Sequence, residues 1–379
     1  MKDNKISKRL MITVLAGTIA FSAVMVGCGE DSKNDNNSVQ TSSVSDISSD
    51  STDNDSNSDT KADENSIDDY KEPEYTLGKI IDSGKCGENV TWEFDENGWL
   101  IISGSGDMYN FESQEDVPWH KHSNDIEYAN IKDGITSIGE KAFYITKLTE
   151  IILPDSLKII GKEAFADCLR LQHINLPDGI TSIESFALSG CPNLQDFIIP
   201  DSVTNIESYA FAFCGNLTKI TIPNSITTIE NSTFSGCKKL TKVTIPDSVT
   251  SIGRAAFFNC SSLPDITIPD SVTDIGYGTF NNCTNLTSIA IPKSITNIGY
   301  NVFSGCTSLT SVSLTEGLES IEHEAFSDCT SLSNIRFPES LSSVDKTAFS
   351  GCTSLTISGK KGSDAEIFAA ENNIPFVAE

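Results

Sequence analysis

Cysteine returns at a constant interval along this chain, at Cys168, Cys191, Cys214, Cys237, Cys260, Cys283, Cys306, Cys329 and Cys352. Phe stands three positions before each one, at Phe165, Phe211, Phe234, Phe257, Phe280, Phe303, Phe326 and Phe349, with Leu188 in the remaining repeat. Leu stands three positions after, from Leu171 to Leu355. Pro follows the same beat from Pro154 to Pro338, with Thr315 breaking the run. An irregular unit over residues 131–153, with Ile145 near the Cys place, brings the count to about ten. A unit this short cannot bury a core alone, so the units must stack.

Within a unit, L-x-x-I-x-I reads as a short strand that Pro ends, because Pro cannot donate to a ladder. Segments such as "IGRAAFFNC" place Ile252, Ala256, Phe257 and Cys260 at roughly helical spacing, which predicts a short helix or helical turn on the opposite side. The expected architecture is an α/β repeat solenoid of about ten 23-residue units. It has a concave parallel sheet, a β-rich N-terminal cap and a short C-terminal cap.

The period also decides the chemistry of the cysteines. Equivalent side chains of successive rungs point in parallel, and strands lie about 4.8 Å apart. Their Cβ atoms therefore do not reach the ~3.8 Å that a disulfide favours. No pair has C-x-x-C spacing, which argues against zinc. The periodic thiols are expected to be core rungs, packed as small hydrophobes. Cys86 lies outside the period and has no evident partner.

The repeat units resemble the BspA-like leucine-rich repeat family of bacterial surface proteins, in "AFSGCTSLT"-type and "IPDSVTSIG" segments. The resemblance covers residues 75–379. It implies the solenoid fold and a role in surface binding or adhesion, without naming a ligand. "GKCGENVTWEFDENGWLIISGSGDMYNF" looks like the N-terminal module of that family. "VTWEF" and "WLIISG" alternate around "DENG" as a β-hairpin does. Trp92 and Trp99 would cover the open end of the stack; the competing reading is carbohydrate stacking on Trp92, Trp99 or Trp119. "SDAEIFAAENNIPFVAE" reads as a short helix and a strand that close the other end.

Ahead of the repeats, Lys2, Lys5, Lys8 and Arg9 precede the apolar run "LMITVLAGTIAFSAVMV" and then Gly27 and Cys28. A basic start, an apolar run and a small residue before a cut make a secretory signal. Met25-Val26-Gly27-Cys28 resembles the lipobox of bacterial lipoproteins, where the Cys becomes the lipidated first residue. The organisation expected is a signal peptide at 1–27, the lipidated Cys28 with an acidic Ser/Asp/Asn tether through 74, an N-terminal cap at 75–130, repeats at 131–357 and a C-terminal cap at 358–379. The tether has too little apolar surface to offset its ordering entropy. The predicted location is the outer face of a bacterial cell membrane, with the membrane as a partner through the lipid on Cys28.

The net charge of −27 makes nucleic acid an unsuitable partner. No phosphate loop, G-x-S-x-G elbow or H-E-x-x-H is present, so the chain is read as a binding protein and not an enzyme. No cofactor is expected. His120 and His122 lack a third ligand at useful spacing, so no metal site is assigned. Acidic residues after Pro, from Asp155 to Glu339, suit turn chemistry better than cation binding. The candidate ligand-binding positions are the outward strand residues of the concave face: Thr218, Lys219, Thr221, Thr241, Lys242, Thr244, Thr287, Ser288, Thr310, Ser311, Asn334 and Arg336. Lys219 and Lys242 should stack in adjacent rungs. The ligand is an extracellular protein or polymer. The alternatives are a glycan-binding or enzyme-accessory module, or a purely structural envelope component.

The lipobox generates the first prediction. Cys28→Ser abolishes incorporation of labelled fatty acid and leaves the repeats folded; a variant that still takes up label overturns the lipidation reading.

Overall fold

The computed structural model describes residues 76–379. The signal peptide, Cys28 and the tether lie outside the described residues, as does the first residue of the N-terminal cap.

Most units contribute two short strands instead of one. The first column contains the expected L-x-x-I-x-I strands, among them Lys219–Thr221, Lys242–Thr244, Ser288–Ala290, Ser311–Ser313 and Asn334–Arg336. Where they form ladders, they pair in parallel with a register of one repeat: Ile220 faces Val243 and Ile289 faces Val312. The second column follows the Pro turn and uses the T-x-I segment, as in Ser251–Ile252 and Asn297–Ile298. It too is parallel and in register, with Ile252 facing Ile275. Thr and Ile suit such strands because one face is buried and the other exposed.

The first column is broken twice, each time for a local reason. Pro264 occupies the place of Thr241 and Thr287 and has no N–H to give the neighbouring rung. At the other break, the Asp196 carboxylate accepts the Thr218 and Lys219 amides at 2.7 and 3.2 Å. Those donors are then lost to the ladder.

The third side of each unit is not helical, which corrects the expected helix. Two residues per unit have left-handed φ, as in Glu163 (φ 56°) and Asp167 (φ 57°), so a run of right-handed α residues cannot form. The amides alternate in direction. Ala164 and Ala166 donate three positions back, to Gly161 and Glu163, while Glu163, Phe165 and Asp167 donate to Ser185, Ala187 and Ser189 of the next rung. Stacked turns thus replace the helix. Among the described residues the only α-helix is α1 (Asp364–Glu371), in the C-terminal cap. Strand Phe376–Ala378 follows it and pairs with Thr356–Gly359.

The core is a set of side-chain ladders. The rings of Phe211, Phe234, Phe257, Phe280, Phe303, Phe326 and Phe349 stack in order, with neighbouring centroids 5.2–5.7 Å apart. Leu188 interrupts this ladder, and Phe197 in the same rung replaces the usual Ile. Phe197 packs 5.4 Å from Phe211, so the swap conserves core volume.

The periodic cysteines are free, and those from Cys168 to Cys329 are buried. They also hydrogen-bond. Cys191, Cys237, Cys260, Cys283, Cys306 and Cys329 each donate the thiol to the carbonyl of the Phe in the preceding rung, at 3.2 Å. That same carbonyl accepts the amide of its own unit's cysteine, as Phe234 accepts Cys237 N–H. In the irregular first unit Thr146 takes the Cys place instead of Ile145: its amide and its hydroxyl both donate to Phe143 O. Ile145 occupies the adjacent left-handed position (φ 55°). Burial pushes Cys168, Cys214 and Cys306 up to about 12, which keeps them as thiols.

At the N-terminal end, β1 (Ile80–Lys85), β2 (Asn89–Asp95) and β3 (Trp99–Asp107) form an antiparallel meander. β3 joins both strand columns, through Trp99–Ile102 to Tyr128–Ile131 and through Gly106 and Asp107 to Ile135 and Ser137. Trp92, Trp99 and Trp119 are buried, and Trp119 Nε1 donates to Ala142 O at 2.9 Å. They cap the stack and offer no sugar platform. Cys86 is free and buried in this cap; burial pushes its thiol up to about 12.

Two outcomes follow from the thiol ladder. In folded protein at pH 8, iodoacetamide leaves Cys168 through Cys329 unmodified, while denaturation without reductant exposes them. Cys352 is half-buried beside a cavity of about 340 Å³ against α1 and reacts first. Mass spectrometry that finds disulfides between neighbouring rungs sinks this account. In equilibrium unfolding, Cys260→Ala costs about 1–3 kcal/mol through the lost sulfur volume and hydrogen bond. Cys260→Asp costs about 3–5 kcal/mol, because it leaves a buried charge unpaired.

Candidate functional site

The expected ligand-binding residues all lie on one exposed surface, the outward side of the first strand column and the step into it. Alternation along a strand puts the Ile positions inward and their neighbours outward. Lys219 faces Lys242, and Thr221 faces Thr244, in rung-to-rung register. Ser288, Ser311 and Asn334 continue the Lys column in the later repeats.

The structure divides these residues by what their polar groups already do. Thr241, Thr287 and Thr310 donate their hydroxyls to the carbonyls of Thr218, Pro264 and Thr287, each at 3.1 Å. Thr218 instead donates its hydroxyl to the Asp196 carboxylate at 2.5 Å. These hydroxyls stitch the rungs together and are not free donors. Arg336 Nε donates to Glu379 at 2.7 Å, with Glu316 at 4.0 Å on the other side. Arg336 in turn holds the Glu379 carboxyl below its usual range, helped by Ser358. Arg336 therefore closes the C-terminal strand and is not gathered with the lysines. The outward groups left for a ligand are chiefly Lys219, Lys242, Thr221, Thr244, Ser288, Ser311 and Asn334.

Asp265 is among the outward strand positions that the alternation predicts, whereas Asp196 escaped that reading. Asp196 lies one period before Lys219, and Asp265 lies one period after Lys242. The row therefore reads Asp196, Lys219, Lys242, Asp265, with balanced charge. The period alone places all four in one column, so the signal was present. Ile198 is the equivalent of Thr221 one rung earlier and is 65% exposed.

The histidine and acidic motifs have structural roles. His122 Nε2 meets Asp82 at 2.9 Å, and Lys121 meets the same carboxylate at 2.7 Å. The hydrogen bonds from Lys121 and His122 pull Asp82 down to about 2, and they tie β1 to the cap. The residues after Pro sit in turns closed by hydrogen bonds such as Val249 N–H to Pro246 O. Among the described residues, no group of three His, Cys, Asp or Glu side chains is arranged to hold a metal ion.

A family model for the BspA type leucine rich repeat region matches residues 120–241 and 227–356, in six copies. Among solved structures, a leucine-rich repeat protein from Eubacterium ventriosum is 25% identical, with a TM-score of 0.46; the match covers 72% of this chain and 95% of that one. A leucine rich cell surface protein from Faecalibacterium prausnitzii is 22% identical with a TM-score of 0.45, covering 77% and 93%. A leucine-rich repeat protein from Bacteroides ovatus is 22% identical with a TM-score of 0.40, covering 77% and 98%. No curated protein matches. With the family pattern running through more than half its length, the chain belongs to the BspA-type leucine-rich repeat family.

Proposed function

We propose that this chain is a lipid-anchored surface protein that binds an extracellular protein or polymer through the outward side of its first strand column. The observation that carries the reading is the register of that surface. Lys219 and Lys242, with Thr221 and Thr244 beside them, repeat one exposed pattern on adjacent rungs. A repeated, shallow, polar row suits an extended partner that makes many weak contacts, whose combined avidity exceeds that of any one. Two like charges one rung apart repel, so an anionic group seated between them gains from both. Asp196 and Asp265 bound the positive segment and limit it to two rungs.

The lipobox supports anchoring, and family membership supports an interaction role. The chemistry of the thiols favours binding over catalysis: the periodic cysteines are core residues, and burial holds Cys168, Cys214 and Cys306 protonated. A solely structural envelope role is the competing outcome, and capture of no partner would support it.

The test is attachment of cells displaying the full chain to immobilised extracellular matrix. Lys219→Glu with Lys242→Glu reverses two exposed charges and shifts stability by no more than about 0.5 kcal/mol. Attachment is expected to fall about tenfold and to lose its salt dependence. The control is Lys85→Glu with Lys361→Glu, an equal change of charge on exposed residues of the two caps. If the control weakens attachment as much as the strand-face pair does, the strand face is not the binding surface.

A further inference from the structure

Four lysines gather on two adjacent rungs of an otherwise acidic chain. From Asn216 to Thr244 the sequence holds Lys219, Lys238, Lys239 and Lys242 against one acid, Glu230, while the whole chain carries a net charge of −27. Glu230 directly follows the second-column strand Thr228–Ile229, so it lies on another side of the rung. All four lysines are exposed. Among the described residues none of them forms an ion pair, whereas Lys121, Lys141 and Lys360 do.

Lys219 and Lys242 face each other in parallel register on the first strand column, about 4.8 Å apart along the stack. The Leu240 amide donates to Cys237 O at 3.1 Å. Lys238 and Lys239 are therefore the two central residues of a tight turn, at the corner where the rung enters its strand. The chain from Lys239 to Lys242 spans at most about 11 Å, and both side chains are long and flexible. Other rungs fill the two turn places with small polar residues, as in Ser261-Ser262, Thr284-Asn285 and Thr307-Ser308, so the turn itself does not need lysine. Along the stack, the column of Lys219 and Lys242 ends at Asp196 and Asp265, and the column of Lys239 has Asn216 and Ser262 on either side. The positive patch is thus two rungs wide and runs along the rung, from the strand to the corner turn.

We propose, resting on the strand-face reading, that these four lysines form one site for an acidic linear polysaccharide that crosses the stack along the rungs. Like charges gathered this closely repel one another, and an anionic ligand relieves that repulsion. A lysine ammonium is a point charge with rotatable donors, which suits sulfate or carboxylate groups on a flexible sugar chain. Thr221 and Thr244 stand two positions after Lys219 and Lys242 on the same outward side, where their hydroxyls meet those of the sugar. Duplex nucleic acid fits less well. Its charge is uniform, about one per 1.7 Å, and it extends beyond two rungs onto Asp196, Asp265 and the acidic remainder of the chain. An acidic protein segment also fits less well, because no large apolar side chain is exposed from Asn216 to Thr244 to anchor a protein interface.

The test is the affinity of the detergent-solubilised full chain for immobilised heparin and hyaluronate, which separate a sulfated from a carboxylate-only polysaccharide, with poly-L-glutamate and duplex DNA as the competing arms. At least one polysaccharide is expected to bind more tightly than either competitor. Lys238→Ser with Lys239→Ser copies the Ser261-Ser262 turn, so the fold is kept. It is expected to weaken polysaccharide binding about tenfold, the scale of two lost exposed charge contacts. Lys219→Glu with Lys242→Glu weakens it at least as much. Lys293→Ser, which removes an exposed lysine three rungs from Lys219 and two from Lys242, leaves it unchanged. Binding to neither polysaccharide, equal or tighter binding to poly-L-glutamate or DNA, or a Lys238→Ser, Lys239→Ser protein that binds like wild type would each overturn the proposal. If neither polysaccharide binds while Lys219→Glu with Lys242→Glu still lowers matrix attachment, the acidic polysaccharide is ruled out and the strand face remains the binding surface.

Discussion

The stack depends on a carbonyl that serves two rungs at once. Phe234 O accepts the Cys237 amide of its own turn and the Cys260 thiol of the next. The first bond closes the turn that brings the chain back toward the strand. The second joins that turn to its neighbour in the buried core, where Phe234, Cys237 and Cys260 are shielded from solvent and the carbonyl's remaining lone pair needs a partner from the protein. Valine or alanine could fill the volume but would leave that lone pair unmet. This is why sulfur recurs at a position that volume alone does not reserve for it, and why the role is lost on the disulfide and zinc readings alike. A thiol can do this only while it is protonated, and burial holds it so.

Around that node the two other sides follow. Pro closes the turn after the first strand, and the Ser two positions on donates back to the preceding rung, as Ser248 does to Ile226 O at 2.8 Å. Thr hydroxyls on the strand face stitch the rungs in the same way. Much of the polar surface is therefore occupied by the solenoid's own bonding. Threonines that look like a binding ladder are partly structural, and the groups left over are fewer and more informative: two lysines on that face, and two at the corner turn beside it.

The strand face departs from the repeat at Lys219 and Lys242, bounded by Asp196 and Asp265. In a repeat protein the consensus residues maintain the stack. On the strand face, the exposed residues that break the consensus, Lys219 and Lys242, are therefore the ones with other work to do.

The sequence by itself determined the period, the membership of the core and the position of the first strands, because these depend on side-chain spacing along the chain. Phe257, Cys260, Leu263 and Ile266 could be placed inside by counting. The pairing of Lys219 with Lys242 followed from the same count. Apolar spacing could not tell a helix from a stacked turn, since both put Ala256, Phe257 and Cys260 on one side. The Gly, Asn and Asp column that includes Asn259 and Gly305 held a signal of left-handed backbone, but its partner column, with Lys141, Glu163 and Ala255, held little beyond Gly278 and Asn301. Only the tertiary structure decided between them. The amides of Glu163, Phe165 and Asp167 find their acceptors at Ser185, Ala187 and Ser189, so the backbone takes this form only once the next rung is in place.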